Sequence, residues 1–399
     1  MNTIAERYVR LVLAVGQHDA DYVDAYYGPA EWKPTEKTVL DDLVSRAAML
    51  SAEIDRVAAA SDDMERLRHK YLKQQLSAVS ARLRMLKGER LSFDEESRAL
   101  YDAAAPVLPE SRFQEILAQL EKRFPGTGTL ASRYETFRRP FVIPKDRLDR
   151  VFQMAIDACR ERTRRHIPLP EGESFTVEYV TGKSWSGYNW YQGGFKSLIQ
   201  INTDLPIYVD RAIDLACHEG YPGHHVYNVL LEKHLVKDRG WMEYSVYPLF
   251  SPQSLIAEGT ANYGIEVAFP GDERVEYEQQ VLFPAAGIEP SRGREYYEVQ
   301  ALVDKLAYAG NEAARRYLNK EIDGAQAAAW LERYALMAHD RAAQRVRFID
   351  QYRSYVINYN LGKDMVREFV ETRTGGNPDR RWKEFAGLIS SPRLPSGLR

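Results

Sequence analysis

Apolar residues recur at helical spacing along almost all of this chain, and one short stretch breaks the pattern. Ile4, Val9, Leu11, Leu13, Val15 and Val23 predict a first helix over about residues 2–26, stopped at Tyr27-Gly28-Pro29. A helical pair follows at about 36–59 and 62–87, the second carrying Leu67, Tyr71, Leu72, Gln75, Val79, Leu83 and Leu86. Ser92 before Asp94, Glu95 and Glu96 is an N-cap with an acidic first turn, so another helix starts there. Further helices are predicted at about 110–123, 127–138 and 145–166. At Pro168 the texture changes. Phe175 to Val180 alternates and is β-branched, and Ser197 to Asn202 reads as a second strand. Between them lies a loop rich in Trp, Tyr and Gly, Trp185 to Gly194, either a cover over a core edge or the wall of a substrate site. The helical period returns at Pro206 and runs through His218. It continues in helices from about 252 and at about 290–320, 323–337, 339–358, 361–374 and 378–389, before a frayed tail from Pro392. The expected fold is mainly α: one large helical domain over 1–399, with a helical part at 1–167 and a part at 168–391 that holds the small β element and the chemistry.

Composition narrows the function classes. The chain has 399 residues, with 54 Lys+Arg against 57 Asp+Glu, and no basic face or tail that would suit nucleic acid. The basic run Arg160 to Arg165 sits at a helix C-terminus, where cations suit the dipole, and reads as a solvated helix end. No apolar run approaches the roughly 18 residues that span a membrane. Leu11 to Val15 is too short for a signal-peptide core, so a cytoplasmic location is expected. Cys159 and Cys217 form no spacing motif. Cys217 precedes His218, but adjacent helical side chains diverge by about 100°, so it reads as a small buried residue rather than a ligand.

The chemistry concentrates in His218-Glu219-Gly220-Tyr221-Pro222-Gly223-His224-His225, which holds three of the chain's eight histidines. Neutral imidazole is a common metal ligand, and a carboxylate beside a metal-activated water serves as general base. The usual zinc-protease spacing puts histidines at i and i+4, but position 222 is Pro. On an ideal helix residue i+6 falls about 240° round, while i+7 returns to the same face about 10 Å further along. Pro222 and Gly223 make an ideal helix untenable there. A local bulge that absorbs two residues would bring His224 to the ligand position. His225 is the alternative, and whichever does not ligate would support the site or contact substrate. Asp214, four residues before His218, is either a carboxylate that fixes the His218 tautomer or a surface residue. A third ligand is needed, and Glu258 in Ile256-Ala257-Glu258-Gly259-Thr260-Ala261 stands out as a carboxylate among apolar neighbours. Gly259 and Ala261 would let a neighbouring helix approach closely.

His218-Glu219-x-x-Pro222-Gly223-His224-His225 followed by Glu258-Gly259-x-Ala261-x-Tyr263 resembles the paired motifs of the bacterial family called domain of unknown function 885. That family is grouped with the gluzincin-type zinc metallopeptidases, and its architecture is similar to thimet oligopeptidase, angiotensin-converting enzyme and the thermostable metallocarboxypeptidases. Gln75 to Tyr101, Lys196 to Asn202 and Tyr359-Asn360-Leu361-Gly362-Lys363 extend the resemblance over most of the chain. The chain departs in being shorter than many members and in lacking the Pro-Gly-Gln that often precedes the C-terminal tyrosine, with Arg353-Ser354-Tyr355 in that neighbourhood.

The resemblance implies a deep-cleft helical fold that binds Zn²⁺ through His218, His224 and Glu258. It implies Glu219 as general base and Tyr359 as donor to an oxyanion. It also implies an extended substrate paired with an edge strand. Ser197 to Asn202 is expected in that role, with Tyr191, Ser197, Gln200 and Asn202 as substrate contacts. The expected activity is zinc-dependent hydrolysis of short peptides, with no nucleic-acid or membrane partner. The alternatives are a zinc amidohydrolase for a small non-peptide amide and a helical binding protein with a vestigial metal site. Arg345, Arg347 and Arg353 are candidates for a substrate carboxylate or, equally, a solvated helix face.

Overall fold

The helical repeat becomes real helices in the computed structural model of the protein, which describes residues 1–58 and 60–399. Helix accounts for 66% of the chain and strand for 8%. The first helices are α1 (Asn2–Gly16), α2 (Leu40–Ile54), α3 (Asp63–Leu86), α4 (Phe93–Tyr101), α5 (Glu110–Arg123), α6 (Leu130–Arg138) and α7 (Leu148–Arg164). Position 59, the expected end of the second helix, lies outside the described residues. Local signals set several boundaries. Ser92 accepts from the Glu95 N–H while the Glu95 carboxylate accepts from the Ser92 N–H, a complete capping box. Asp62 caps α3 in the same position.

The first predicted helix is too long. α1 ends at Gly16, where a Cβ would lie 2.8 Å from Val23 Cγ2, because the chain doubles back there. Val23 instead begins strand β1 (Val23–Tyr26), which pairs antiparallel with β5 (Val246–Pro248). The predicted aromatic loop is largely strand. Β2 (Ser174–Val180), β3 (Gly187–Gly193) and β4 (Lys196–Asn202) form one sheet in the order β2-β4-β3, parallel between β2 and β4 and antiparallel between β4 and β3. Ser197 to Asn202 is therefore the central strand, with both edges already paired, and cannot take a substrate strand. The two outer edges, facing away from β4, belong to β2 and β3.

After the sheet come α8 (Asp210–Leu215), α9 (His224–Leu231), α10 (Pro252–Ala268), α11 (Glu273–Tyr277), α12 (Phe283–Ala286), α13 (Gly293–Val303), α14 (Ala309–Leu318), α15 (Gly324–Tyr334), α16 (His339–Tyr352), α17 (Ile357–Thr374) and α18 (Pro378–Ile389). The predicted helix 290–320 is two, and the predicted 339–358 is cut at Arg353. That residue takes a positive φ of 54° while Glu96 accepts from its guanidinium and from the Ser354 N–H. One buried cluster runs from Ile4 to Leu398, so the 1–167 and 168–391 parts share a core and form one domain. No helix among the described residues is long and apolar enough to cross a membrane.

Two packing features carry measurable consequences. Helices α10 and α17 cross backbone to backbone: a Cβ on Gly259 would sit 2.5 Å from the Gly362 carbonyl oxygen, and one on Gly362 would sit 2.7 Å from that of Leu255. Gly259→Val must push the helices apart and is expected to lower the unfolding free energy by about 3 kcal/mol. An unchanged denaturant midpoint would contradict that crossing.

Glu278 is fully buried, with Arg274 Nε donating to it at 2.9 Å and the Tyr297 hydroxyl donating to its other oxygen. Burial outweighs both partners and raises its pKa to about 7. Between its ordinary value and 7 the folded state holds a proton that the unfolded chain has lost, so this carboxyl's contribution to stability falls as pH rises through that window and levels off above it. Glu278→Gln is expected to flatten the pH dependence of unfolding between pH 5 and 7.5 by about 2 kcal/mol. Parallel curves for the two proteins would count against it.

Candidate metal centre

The turn at Pro222 decides the site. Beyond Leu215 the chain makes one π-helical turn, Ala216–Gly220, and then opens at Tyr221 to φ −120° and ψ 116°. The Gly223 N–H donates to the Cys217 carbonyl at 2.9 Å, and α9 starts at His224. Only glycine fits at 223: a Cβ there would lie 1.9 Å from the His218 carbonyl oxygen and 2.4 Å from that of Cys217. The π turn and the break absorb the two extra residues. The rings of His218 and His224 stand 4.6 Å apart, with their Nε2 atoms separated by 3.2 Å.

Glu258 on α10 completes a triangle. Its Oε2 lies 3.2 Å from His218 Nε2 and 3.7 Å from His224 Nε2. Its Oε1 accepts from the Tyr355 hydroxyl at 2.7 Å, whereas Oε2 is buried with no hydrogen-bond donor directed at it among the described residues. Two ligands bound tetrahedrally to one zinc at about 2.05 Å are about 3.3 Å apart, so the spacings 3.2, 3.2 and 3.7 Å suit that ion. The orphaned Oε2 supplies the anionic donor. Ligand-capable atoms of His218, Glu219 and His224 also fall within 4.8 Å of one another. Glu219 is the more distant carboxylate, with Oε1 4.0 Å from His218 Nε2, so Glu258 is the carboxylate better placed to complete a ligand set with the two histidines.

Charge favours a cation here. Burial raises the Glu219 pKa, against the attraction of His218 and His224. Burial also works against the Glu258 anion, but the two histidines hold its carboxyl well below the usual range. His224 is pushed up to about 9: burial opposes its charge, and Glu258, Glu219 and Asp24 outweigh it. Glu258, Glu219 and Asp24 thus all bias His224 toward its charged form.

The remaining sequence candidates sort by geometry. His225 is fully buried, with Nδ1 2.9 Å from Ser197 Oγ and Nε2 3.0 Å from Glu173 Oε2, so both ring nitrogens are engaged away from the cluster. Glu173 is anchored in turn by Arg160, Arg164 and the Tyr221 hydroxyl. The basic run read as a solvated helix end is therefore partly tied into the support of the motif. Asp214 accepts from Arg211 and pairs with Arg274, each at 2.9 Å, and does not reach His218. Asn262 takes that place, with Oδ1 3.2 Å from His218 Nδ1. Its position one turn after Glu258 on α10 was a signal available in the sequence. Tyr355, one turn before Tyr359, was missed for want of any local cue.

Beside the triangle lies a cavity of about 1370 Å³, lined by His218, Glu219, His224, Glu258, Tyr359 and Arg345 among others. Trp185 and Tyr188 from the aromatic segment reach it. The expected contacts Tyr191, Ser197, Gln200 and Asn202 do not. Tyr191 donates to Glu232, Ser197 holds His225, Gln200 links Trp190 to Glu178, and Asn202 donates to the Lys183 and Trp185 carbonyls. Strand β3 passes the site instead: a Cβ on Gly187 would lie 2.9 Å from Glu219 Oε1, and Asn189 Nδ2 donates to the Glu219 carbonyl at 2.7 Å.

Comparison with known proteins locates the fold but not the activity. No protein-family profile and no curated protein matches the chain. Among solved structures, one described as a candidate lipoprotein from Colwellia psychrerythraea superposes with a TM-score of 0.53 at 15% identity, covering 92% of this chain and 69% of the other. A second, described as a candidate lipoprotein of unknown function from Shewanella oneidensis, gives 0.49 at 13% identity, covering 90% and 72%. At 15% identity the first similarity speaks to the fold alone.

Proposed function

We propose that the protein is a zinc-dependent hydrolase that cleaves amide bonds of short peptides, with an architecture of the helical deep-cleft metallopeptidase kind. The observation that carries this reading is the donor triangle of His218, His224 and Glu258 opening on a large cavity, with a further carboxylate 4.0 Å from the first histidine. Those three residues would hold the ion and Asn262 would set the His218 tautomer. When bound, zinc supplies Lewis acidity for a water and a carbonyl. Glu219 takes the proton of the attacking water on its carboxylate and delivers it to the leaving nitrogen. The Tyr359 hydroxyl has no hydrogen-bond partner among the described residues and lines the cavity, which suits it to donate to an oxyanion. An extended substrate would find the free edge of β3.

Metal analysis of the purified full chain, combined with a screen of short peptides against N-acyl amino acids and small amides, tests the proposal. About one zinc per chain and peptide cleavage lost on chelation without unfolding is the expected result. Turnover of the small amides alone would move the assignment to an amidohydrolase. A protein that takes up no zinc would end both readings.

A further inference from the structure

Among the described residues, one half-buried cation lining the cavity has neither an ion-pair nor a hydrogen-bond partner, while Arg112, Arg294 and Lys305, also unpaired, are exposed. Arg211, Arg274, Lys363 and Arg381, half-buried on its walls, meet Asp214, Asp214, Glu266 and Glu371 at 2.9, 2.9, 2.8 and 2.7 Å. Arg345 on α16 is also half-buried and lines the same cavity. Among the described residues it has no carboxylate within 4.0 Å and no hydrogen-bond acceptor. Its guanidinium rests on aromatic faces, 4.7 Å from the Phe348 centroid and 5.6 Å from that of Tyr359. Arg341 precedes it by one helical turn, lines the cavity too, and makes only a 3.4 Å contact to the Pro206 carbonyl. A half-buried guanidinium leaves five donors to satisfy, and its planar fork matches a carboxylate. Through Tyr359 and Tyr355 the arginine is linked to the donor triangle: those rings are 5.8 Å apart, and Tyr355 donates to Glu258. The other two candidate arginines are elsewhere engaged or turned out, Arg353 on Glu96 and Arg347 in solvent.

We propose that Arg345, supported by Arg341, binds a carboxylate of the substrate inside the cavity, so that the protein acts on carboxylate-bearing peptides or acyl-amino acids. This rests on the hydrolase reading of the neighbouring triangle. Stacking on Phe348 and Tyr359 holds the fork in place before substrate arrives, which lowers the ordering cost of binding.

The test uses the zinc-loaded full chain carrying Glu219→Gln, which keeps the ligand intact, and measures calorimetric binding of N-acetyl-alanyl-alanine, its C-terminal amide, and N-acetyl-glutamyl-alanine amide. Tighter binding of a carboxylate ligand than of the uncharged amide, by about tenfold or more, is expected. Preference for the first ligand identifies a terminal carboxylate and preference for the third an acidic side chain. Adding Arg345→Gln is expected to erase that preference, Arg345→Lys to restore part of it, and Arg347→Gln to leave it intact. Equal affinity for all three ligands, no measurable binding, or a preference that survives Arg345→Gln overturns the proposal. Wild-type protein that discriminates the ligands but hydrolyses no amide would sink the hydrolase reading and leave the carboxylate site standing. Hydrolysis with no discrimination would do the reverse.

Discussion

Glu219→Gln is expected to lower kcat by about 10²- to 10⁴-fold while zinc content and unfolding midpoint stay at wild-type values. The side chain is nearly isosteric, and nothing in its packing demands the charge. Its backbone carbonyl, not its carboxyl, takes the bond from Asn189, and Gly187 leaves the same room beside either side chain. The lost property is the ability to take a proton from water and return it. Measuring kcat, metal stoichiometry and thermal unfolding on one preparation separates this outcome from its rivals. Full activity in the variant would remove Glu219 from the mechanism, and loss of zinc would make it a ligand instead.

His224→Ala and His225→Ala are expected to fail in different ways, although the residues are neighbours. The first removes a donor atom 3.2 Å from His218 Nε2 and should weaken zinc binding well beyond the about 10- to 100-fold that follows loss of a supporting hydrogen bond. The second leaves the triangle intact but empties a fully buried position and strands Glu173 and Ser197 without their imidazole. It should lower the unfolding free energy by about 2–4 kcal/mol and leave one zinc per folded chain. Equilibrium dialysis and denaturant titration of both variants check this. Zinc lost in His225→Ala with an unchanged midpoint would exchange the two roles.

These paired residues mark where local reading stops. The motif was legible because imidazoles and a carboxylate crowd into eight residues, and Glu258 because an ionisable side chain sat in an apolar run. Choosing between His224 and His225 required the π turn over Ala216–Gly220, which contiguous spacing does not encode. Asp214 lay at the right helical interval to support His218 but is held by Arg211 and Arg274, the latter sixty residues on, and Asn262 fills the vacancy from another helix.

The same division runs through the fold. By itself the sequence determined the helical class, the start of α4, both ends of α5, and the kinds of side chain gathered at the triangle, because caps, apolar period and residue type act over one or two turns of chain. Only the tertiary structure decided that Val23 belongs to a strand, since its partner lies at Pro248. The sheet order likewise turned the expected substrate strand into an interior one and left the outer edges to β2 and to β3, of which β3 runs beside Glu219. Arg345 became distinctive only among its neighbours: every charge looks alike in a sequence, and whether a guanidinium meets a carboxylate is settled by what folding brings within 4 Å of it.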